Sequence, residues 1–402
     1  MRIAMFTNNY KPNVGGVPIS VEHLAAALRA LGQTVYVFAP SYDNQVEEAY
    51  VIRYPAFPLK IAGIPIPNVL TKIIMEKVIE LQIDLIHVHH PALVGNVALS
   101  IRRKLGIPVV FTYHTRYEEY LHYVKPLRDI DKYTGMVEWY LRHFCGHCDM
   151  IVAPTPGIRD HLLLDKNIDT PIGVMPTGIP QESFEPDQNR VSTLRKIYKR
   201  EADYLFCTVS RLAEEKNLIF QLYGIKQLKE NFRCIGRTFR HLMIGDGPQR
   251  KVLSEKILEL GLQNEVLLIG NVDNSDIKNY QAASDLFLFT SKSETQGIVL
   301  LEAMAVGNPV IAVQASGVKD MIENTKNGYL ATEDVFTWAG AIQKALSDPE
   351  VYRTMCEHAK ETAEMYSEEA IAKQAQLYYL NTCRRCKKLA QSSTLFQQNM
   401  VN

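Results

Sequence analysis

Short runs of apolar residues alternate with segments of helical spacing along almost the whole chain. In the first half the runs fall at Arg2–Phe6, Thr34–Phe38, Asp84–Val88, Pro108–Tyr113 and Asp149–Ala153. In the second half they fall at Tyr204–Ser210, Arg240–Ile244, Glu265–Ile269, Asp285–Thr290 and Pro309–Val313. Few of them alternate polar with apolar, as a strand with one wet face would. Continuous apolar runs separated by helices predict parallel sheets covered by helices on both faces. Between the first two runs, Ile19–Leu31 has helical spacing and stops at Gly32, a residue suited to a C-terminal cap.

The alternation breaks at Pro176-Thr177-Gly178-Ile179-Pro180 and the polar Gln181–Arg190, then starts again. The expected fold class is therefore α/β, with two Rossmann-like doubly wound domains facing across a cleft, residues 1–180 and 181–365. Residues 366–390 form an amphipathic stretch long enough to cross back to the first domain, and 391–402 are expected to be a disordered tail. The length of 402 residues suits two cores, since a single one seldom grows beyond ~250–300 residues.

Composition narrows the function. Lys+Arg is 44 and Asp+Glu is 44, a balance that argues against a nucleic-acid coat. No apolar run reaches the ~20 residues of a membrane helix. The richest stretch, Ile61–Met75, is interrupted by Pro65, Pro67, Asn68 and Lys72. The start of the chain, Met1-Arg2 and a few apolar residues before Thr7-Asn8-Asn9, is too short for a secretory signal. The seven cysteines, odd in number and scattered, fit reduced thiols, so a cytoplasmic location is expected.

Open parallel sheets bind ligands beyond the carboxyl ends of their strands. Four features lie at such ends. Gly15-Gly16 follows the first strand, where glycines let a phosphate approach the backbone and a helix start favours the anion; a plain turn is the alternative. Arg211 and Lys216, in Ser210–Asn217, could together hold a diphosphate, or form a solvated charged loop. Gly245-Asp246-Gly247-Pro248 reads as a tight turn or as the wall of a nucleotide site. Glu294 precedes Gly297 and a helix start whose amides near Gly297, Ile298 and Val299 can receive phosphate; Glu302, eight residues after Glu294, returns near the same face. The two carboxylates can bind sugar and ribose hydroxyls, or merely compensate a helix dipole.

Taken together, Gly15-Gly16, the Ser-Arg-Leu run with Arg211 and Lys216, Gly-Asp-Gly-Pro and the Glu294-x7-Glu302 spacing resemble the retaining glycosyltransferase family 4, to about Met365. The resemblance implies the GT-B fold and a hexosyltransferase that needs no metal and no cofactor beyond its nucleotide-sugar substrate. It implies that Gly15 and Gly16 approach the donor phosphate and that Arg211 and Lys216 hold the diphosphate and stabilise its developing charge. Glu294 would bind the sugar hydroxyls, with Thr295, Gln296, Gly297, Ile298 and Val299 along the donor, Gly245 in the wall, Val272 at the base and Glu302 at the ribose. His114 would face the sugar. Arg211, Lys216, Glu294 and His114 are the catalytic candidates, for front-face substitution with retained configuration.

The segment Tyr113–Val124 looks like that of bacterial diacylglycerol glucosyltransferases, although Lys125–Asp129 departs from their pattern. Ser293–Gly297, with Gln296, is also similar to that subgroup. This implies UDP-glucose as donor, a lipid acceptor, diacylglycerol, and a peripheral place on an anionic membrane surface, the inner face of the cell membrane. The stretch 117–144, rich in Tyr, Leu, Lys and Arg with Trp139, and the basic Arg102, Arg103 and Lys104 suit that surface. A soluble or polyprenyl-linked saccharide or a small aglycone is the alternative acceptor, and a non-catalytic nucleotide-sugar-binding protein the alternative of another class. The pairs Cys145/Cys148 and Cys383/Cys386 lie too far apart for ordinary zinc spacing, so no metal site is expected.

Overall fold

A parallel pair needs a crossover connection, most often a helix, and both large sheets pair in parallel throughout. The computed structural model describes residues 1–13, 15–45, 47–61, 64–67, 71–114, 130–165, 168–292, 294, 296–315 and 317–401; for 57–61, 64–67, 71, 130–134, 165, 389–390 and 392–401 it describes the backbone alone. The chain divides into two units, one of Met1–Gly178 with Glu368–Asn402, the other of Ile179–Ser367.

Unit 1 contains β1 (Arg2–Phe6), β2 (Thr34–Pro40), β3 (Val51–Tyr54), β4 (Ala56–Ile61), β5 (Ile64–Pro67), β6 (Leu85–Val88), β7 (Val109–Thr112), β8 (Met150–Ala153) and β9 (Ile172–Val174). Seven of them form a parallel sheet in the order β3-β2-β1-β6-β7-β8-β9, and β4 and β5 pair antiparallel. Unit 2 contains β10 (Tyr204–Val209), β11 (Phe239–Ile244), β12 (Val266–Gly270), β13 (Leu286–Phe289), β14 (Val310–Val313) and β15 (Gly328–Ala331), in the order β12-β11-β10-β13-β14-β15. The α/β class with two Rossmann-like sheets is as the apolar runs predict.

The reason is visible in β1. Ile3, Ala4, Met5 and Phe6 are all fully buried, with Ala4 and Phe6 in one apolar cluster and Ile3 and Met5 in the other. A strand with two dry faces needs apolar residues at every position. The ten predicted strands all form, within a residue or two at each end. The strands without a clear sequence signal are the edge strands β3, β9 and β15 and the β4–β5 pair. In β9 all three residues are only half-buried.

Helix Gly16–Ala30 begins three residues before the periodicity suggests and ends at Leu31, followed by Gly32 at φ 80°. Helix Glu368–Val401 belongs to unit 1. It adds Ala372, Ala375 and Tyr379 to the apolar cluster that holds Val110 and Val152, and Tyr378 donates to the Val174 carbonyl at 3.0 Å. Its range includes residues 391–402 up to Val401, where a disordered tail is expected from the sequence; the segment after Ser367 contains neither Gly nor Pro to stop a helix.

In unit 2 the indole of Trp338 is fully buried, and a Cβ built on Gly224 would lie 2.5 Å from its Cε3. Trp338→Ala should therefore cost about 3–5 kcal/mol, read as a lower urea midpoint by circular dichroism.

Candidate active site

In each sheet the strand order reverses once, between β1 and β6 in unit 1 and between β10 and β13 in unit 2. The helices that follow such a pair leave on opposite faces and open a crevice at the strand ends. Helix Leu218–Cys234, after β10, packs in one apolar cluster through Leu218, Leu222 and Ile225. Helix Ile298–Ala305, after β13, packs in the other through Leu300 and Leu301.

The loop after β10 carries Arg211 and Lys216, and the loop after β13 carries Glu294. The structure brings Lys216 and Glu294 together, with Nζ 2.5 Å from Oε1 and both side chains about one-fifth exposed. The two backbones are tied as well. Buried Thr290 donates its hydroxyl to the Lys216 carbonyl at 2.9 Å, and buried Ser291 donates to that of Glu215 at 3.3 Å. Asn217 stands in the left-handed region at φ 54° and donates from Nδ2 to Glu333 Oε1 at 3.0 Å, while Glu333 also pairs with Lys292. The Lys292 ammonium and Asn217 hold the Glu333 carboxyl below the usual carboxylate range. Arg211 is exposed and makes no side-chain hydrogen bond or ion pair among the described residues.

Gly297 precedes helix Ile298–Ala305 at φ 73° and is buried together with Gln296. The first amides of that helix, at Ile298 and Val299, have no acceptor within it, and both residues are half-buried. Glu302 lies one turn on from Ile298. It is part-buried, and among the described residues no donor reaches its carboxylate, so desolvation pushes its pKa up to about 7. Thr295, like Val14 and Ser293, lies outside the described residues.

Gly245 and Gly247 have a reason in the fold itself. At Gly245, φ is 126° and a Cβ would sit 2.0 Å from the Ser210 carbonyl oxygen; at Gly247 it would sit 2.4 Å from that of Leu212. The Gly-Asp-Gly-Pro loop thus lies directly on the loop carrying Arg211. Gly245 also donates to the Gly270 carbonyl at 2.8 Å, two residues before half-buried Val272. Gly16 differs: a Cβ there would meet nothing within 4 Å, so the packing of unit 1 does not demand glycine.

In unit 1 the strand ends gather a cluster that sequence reasoning missed, save for His114. His89 Nδ1 is 2.8 Å from His114 Nε2, and His87 lies between Tyr379 Oη at 2.7 Å and Thr112 Oγ1 at 2.6 Å. Asn8 donates its backbone N–H to His90 Nδ1 at 3.1 Å. Burial lowers every one of these imidazoles: His87 and His114 to about 3, His90 to about 4, and His89 well below the usual range. The signal that finds the cluster is His87-Val88-His89-His90, three of the 11 histidines at one strand end.

Arg102, one of the three basic residues suggested for an anionic surface, is already paired within unit 1. Its guanidinium grips Asp149 with two bonds of 2.7 Å, leaving Arg103 and Lys104 exposed. The acceptor segment 115–129 lies outside the described residues. All seven cysteines are free, and among the described residues no three His, Cys, Asp or Glu side chains are placed to hold a metal ion.

Comparison with known proteins bears on the family and the fold. Residues 14–183 match the family described as Glycosyltransferase Family 4, and residues 191–362 match Glycosyl transferases group 1. Alpha-monoglucosyldiacylglycerol synthase of Streptococcus pneumoniae is 31% identical over 358 residues, 86% of this chain and 78% of that protein. The chain belongs to glycosyltransferase family 4. A family 4 glycosyltransferase with a GT-B fold is thus the frame for the residues above. Alpha-monoglucosyldiacylglycerol synthase of Acholeplasma laidlawii is 29% identical over 401 residues, 95% of this chain and 97% of that one. Among solved structures, sucrose-phosphate synthase of Thermosynechococcus elongatus matches with a TM-score of 0.78 at 22% identity, covering 94% of this glycosyltransferase and 98% of that chain.

The raised Glu302 pKa fixes the sign of one pH effect. The folded protein holds this proton up to about 7, whereas the unfolded chain releases it in the ordinary carboxylate range. Stability should therefore fall as pH rises through that window, and Glu302→Gln should flatten that part of the curve in urea titrations at successive pH values.

Proposed function

We propose that this glycosyltransferase moves glucose from UDP-glucose to diacylglycerol at a membrane surface, with retained anomeric configuration and without a metal ion. The observation that carries the donor half is the Lys216–Glu294 pair at the sheet reversal of unit 2, beside the helix start at Gly297. Anion and polyol recognition lie side by side there: Lys216, exposed Arg211 and the amides of Ile298 and Val299 suit a diphosphate, and Glu294 suits sugar hydroxyls. Glu302 then takes the ribose diol and Val272 the base.

Bond making and breaking follow from those roles. The acceptor hydroxyl attacks the anomeric carbon on the face from which UDP departs, the C1–O bond to the β-phosphate breaks, and the hydroxyl proton passes to that phosphate. Arg211 and Lys216 stabilise the charge that gathers on the diphosphate. In unit 1 taken by itself, Gly16 leaves open space at a helix start suited to a phosphate, and His114 is assigned to a sugar hydroxyl.

The acceptor half rests on the names of the two synthases above and on the surface of unit 1. Helix Ile130–Gly146 exposes Met136 and Trp139, and Arg103 and Lys104 are exposed at the end of helix Val94–Leu105. No helix among the described residues is long and apolar enough to cross a membrane, so attachment would be peripheral.

The experiment is incubation with radiolabelled UDP-glucose and vesicles of diacylglycerol with anionic phospholipid, in EDTA, followed by lipid extraction. Label in an α-glucosyl lipid is expected, and Lys216→Ala or Glu294→Gln should each lower kcat/KM at least ~100-fold with the fold intact. Release of glucose and UDP without labelled lipid would overturn the acceptor, and undiminished transfer by both variants would overturn the site.

A further inference from the structure

His89 is 1% exposed and its ring lies within 25° of parallel to that of His114, centroids 5.1 Å apart. Its Nδ1 faces His114 Nε2 at 2.8 Å, but its Nε2 is buried with no hydrogen-bond partner. His87 lies 4.3 Å away, ring to ring, and cannot relieve it, because both His87 nitrogens are engaged by Tyr379 and Thr112.

A neutral imidazole has one N–H and one lone pair, and burial keeps His89 and His114 neutral. The pair then has two arrangements. If His114 donated from Nε2, the proton of His89 would have to sit on its own Nε2, as a buried donor aimed at nothing. If His89 donates from Nδ1, only a lone pair is left without a partner. Orphaned buried donors are the rarer case in folded proteins.

We infer that His89 is a positioning residue, donating Nδ1–H to His114 Nε2 and so fixing His114 as the tautomer protonated on Nδ1. His114 then presents a hydrogen-bond donor to whatever faces it, and its basic nitrogen is occupied. It cannot serve as general base for the acceptor hydroxyl. This last consequence rests on the proposed placement of His114 at the sugar; the tautomer itself does not.

Ring-¹⁵N NMR of histidine-labelled full-length protein reads the tautomer without any need for turnover, with His114→Gln to assign the signals. His114 should show a protonated Nδ1 and an unprotonated Nε2. In His89→Asn, whose Nδ2 can stand where the imidazole Nδ1 stood, the tautomer should persist and kcat should stay within about threefold of the parent. In His89→Leu, checked by circular dichroism for folding, the tautomer should shift towards Nε2–H and kcat should fall ~10–100-fold with little change in donor KM. A wild-type His114 protonated on Nε2, or a tautomer unmoved in folded His89→Leu, would overturn the proposal. A tautomer that shifts while transfer is unchanged would uphold the role of His89 and overturn instead the placement of His114 at the sugar.

Discussion

The parallel pairing of β10 with β13, Phe206 beside Leu286 and Cys207 beside Phe287, is the contact on which the candidate site depends. These strands are neighbours in space but far apart in sequence, and their loops turn away to opposite faces. Lys216 and Glu294 meet only because that register holds. Thr290 and Ser291 then convert a meeting of side chains into a joint between backbones. Unit 1 repeats the device with β1 and β6, where helix Gly16–Ala30 and helix Val94–Leu105 pack on opposite apolar clusters.

Much of the fold is legible in the chain, because a strand buried on both faces must be apolar at each step, as Ile3 to Phe6 are. The edge strands are harder. β3 and β9 lie at the two edges of their sheet and are half-buried at most positions, so they carry no continuous apolar run. The same distinction runs through the site. Arg211, Lys216, Glu294 and Glu302 stand out by charge and spacing at predicted strand ends. Thr290, Ser291, Asn217 and Glu333 do not, because their work lies in contacts between loops more than seventy residues apart. Tyr379 is the extreme case, 292 positions from the His87 ring that it touches.

Glycine illustrates how one residue type answers to different causes. At Gly245 the neighbouring carbonyl of Ser210 excludes any side chain. At Gly16 no neighbour does. A pattern of letters cannot separate these two cases, although both belong to the motif set that identifies the family. Geometry separates them: the first glycine serves the joint between two loops, and the second leaves open space at a helix start.

The membership of helix Glu368–Val401 in unit 1 also bears on how the chain is made. Synthesis runs from the N-terminal side, so unit 2 emerges complete while unit 1 still lacks helix Glu368–Val401. Until Tyr379 leaves the ribosome, the His87 nitrogen it caps lacks that partner, and the apolar cluster that holds Val110 and Val152 lacks Ala372, Ala375 and Tyr379. Of the two units, the one synthesised first is thus the last to close. A message cut short before the final helix yields a protein with an intact second unit and an exposed core in the first, a natural target for chaperones and proteases.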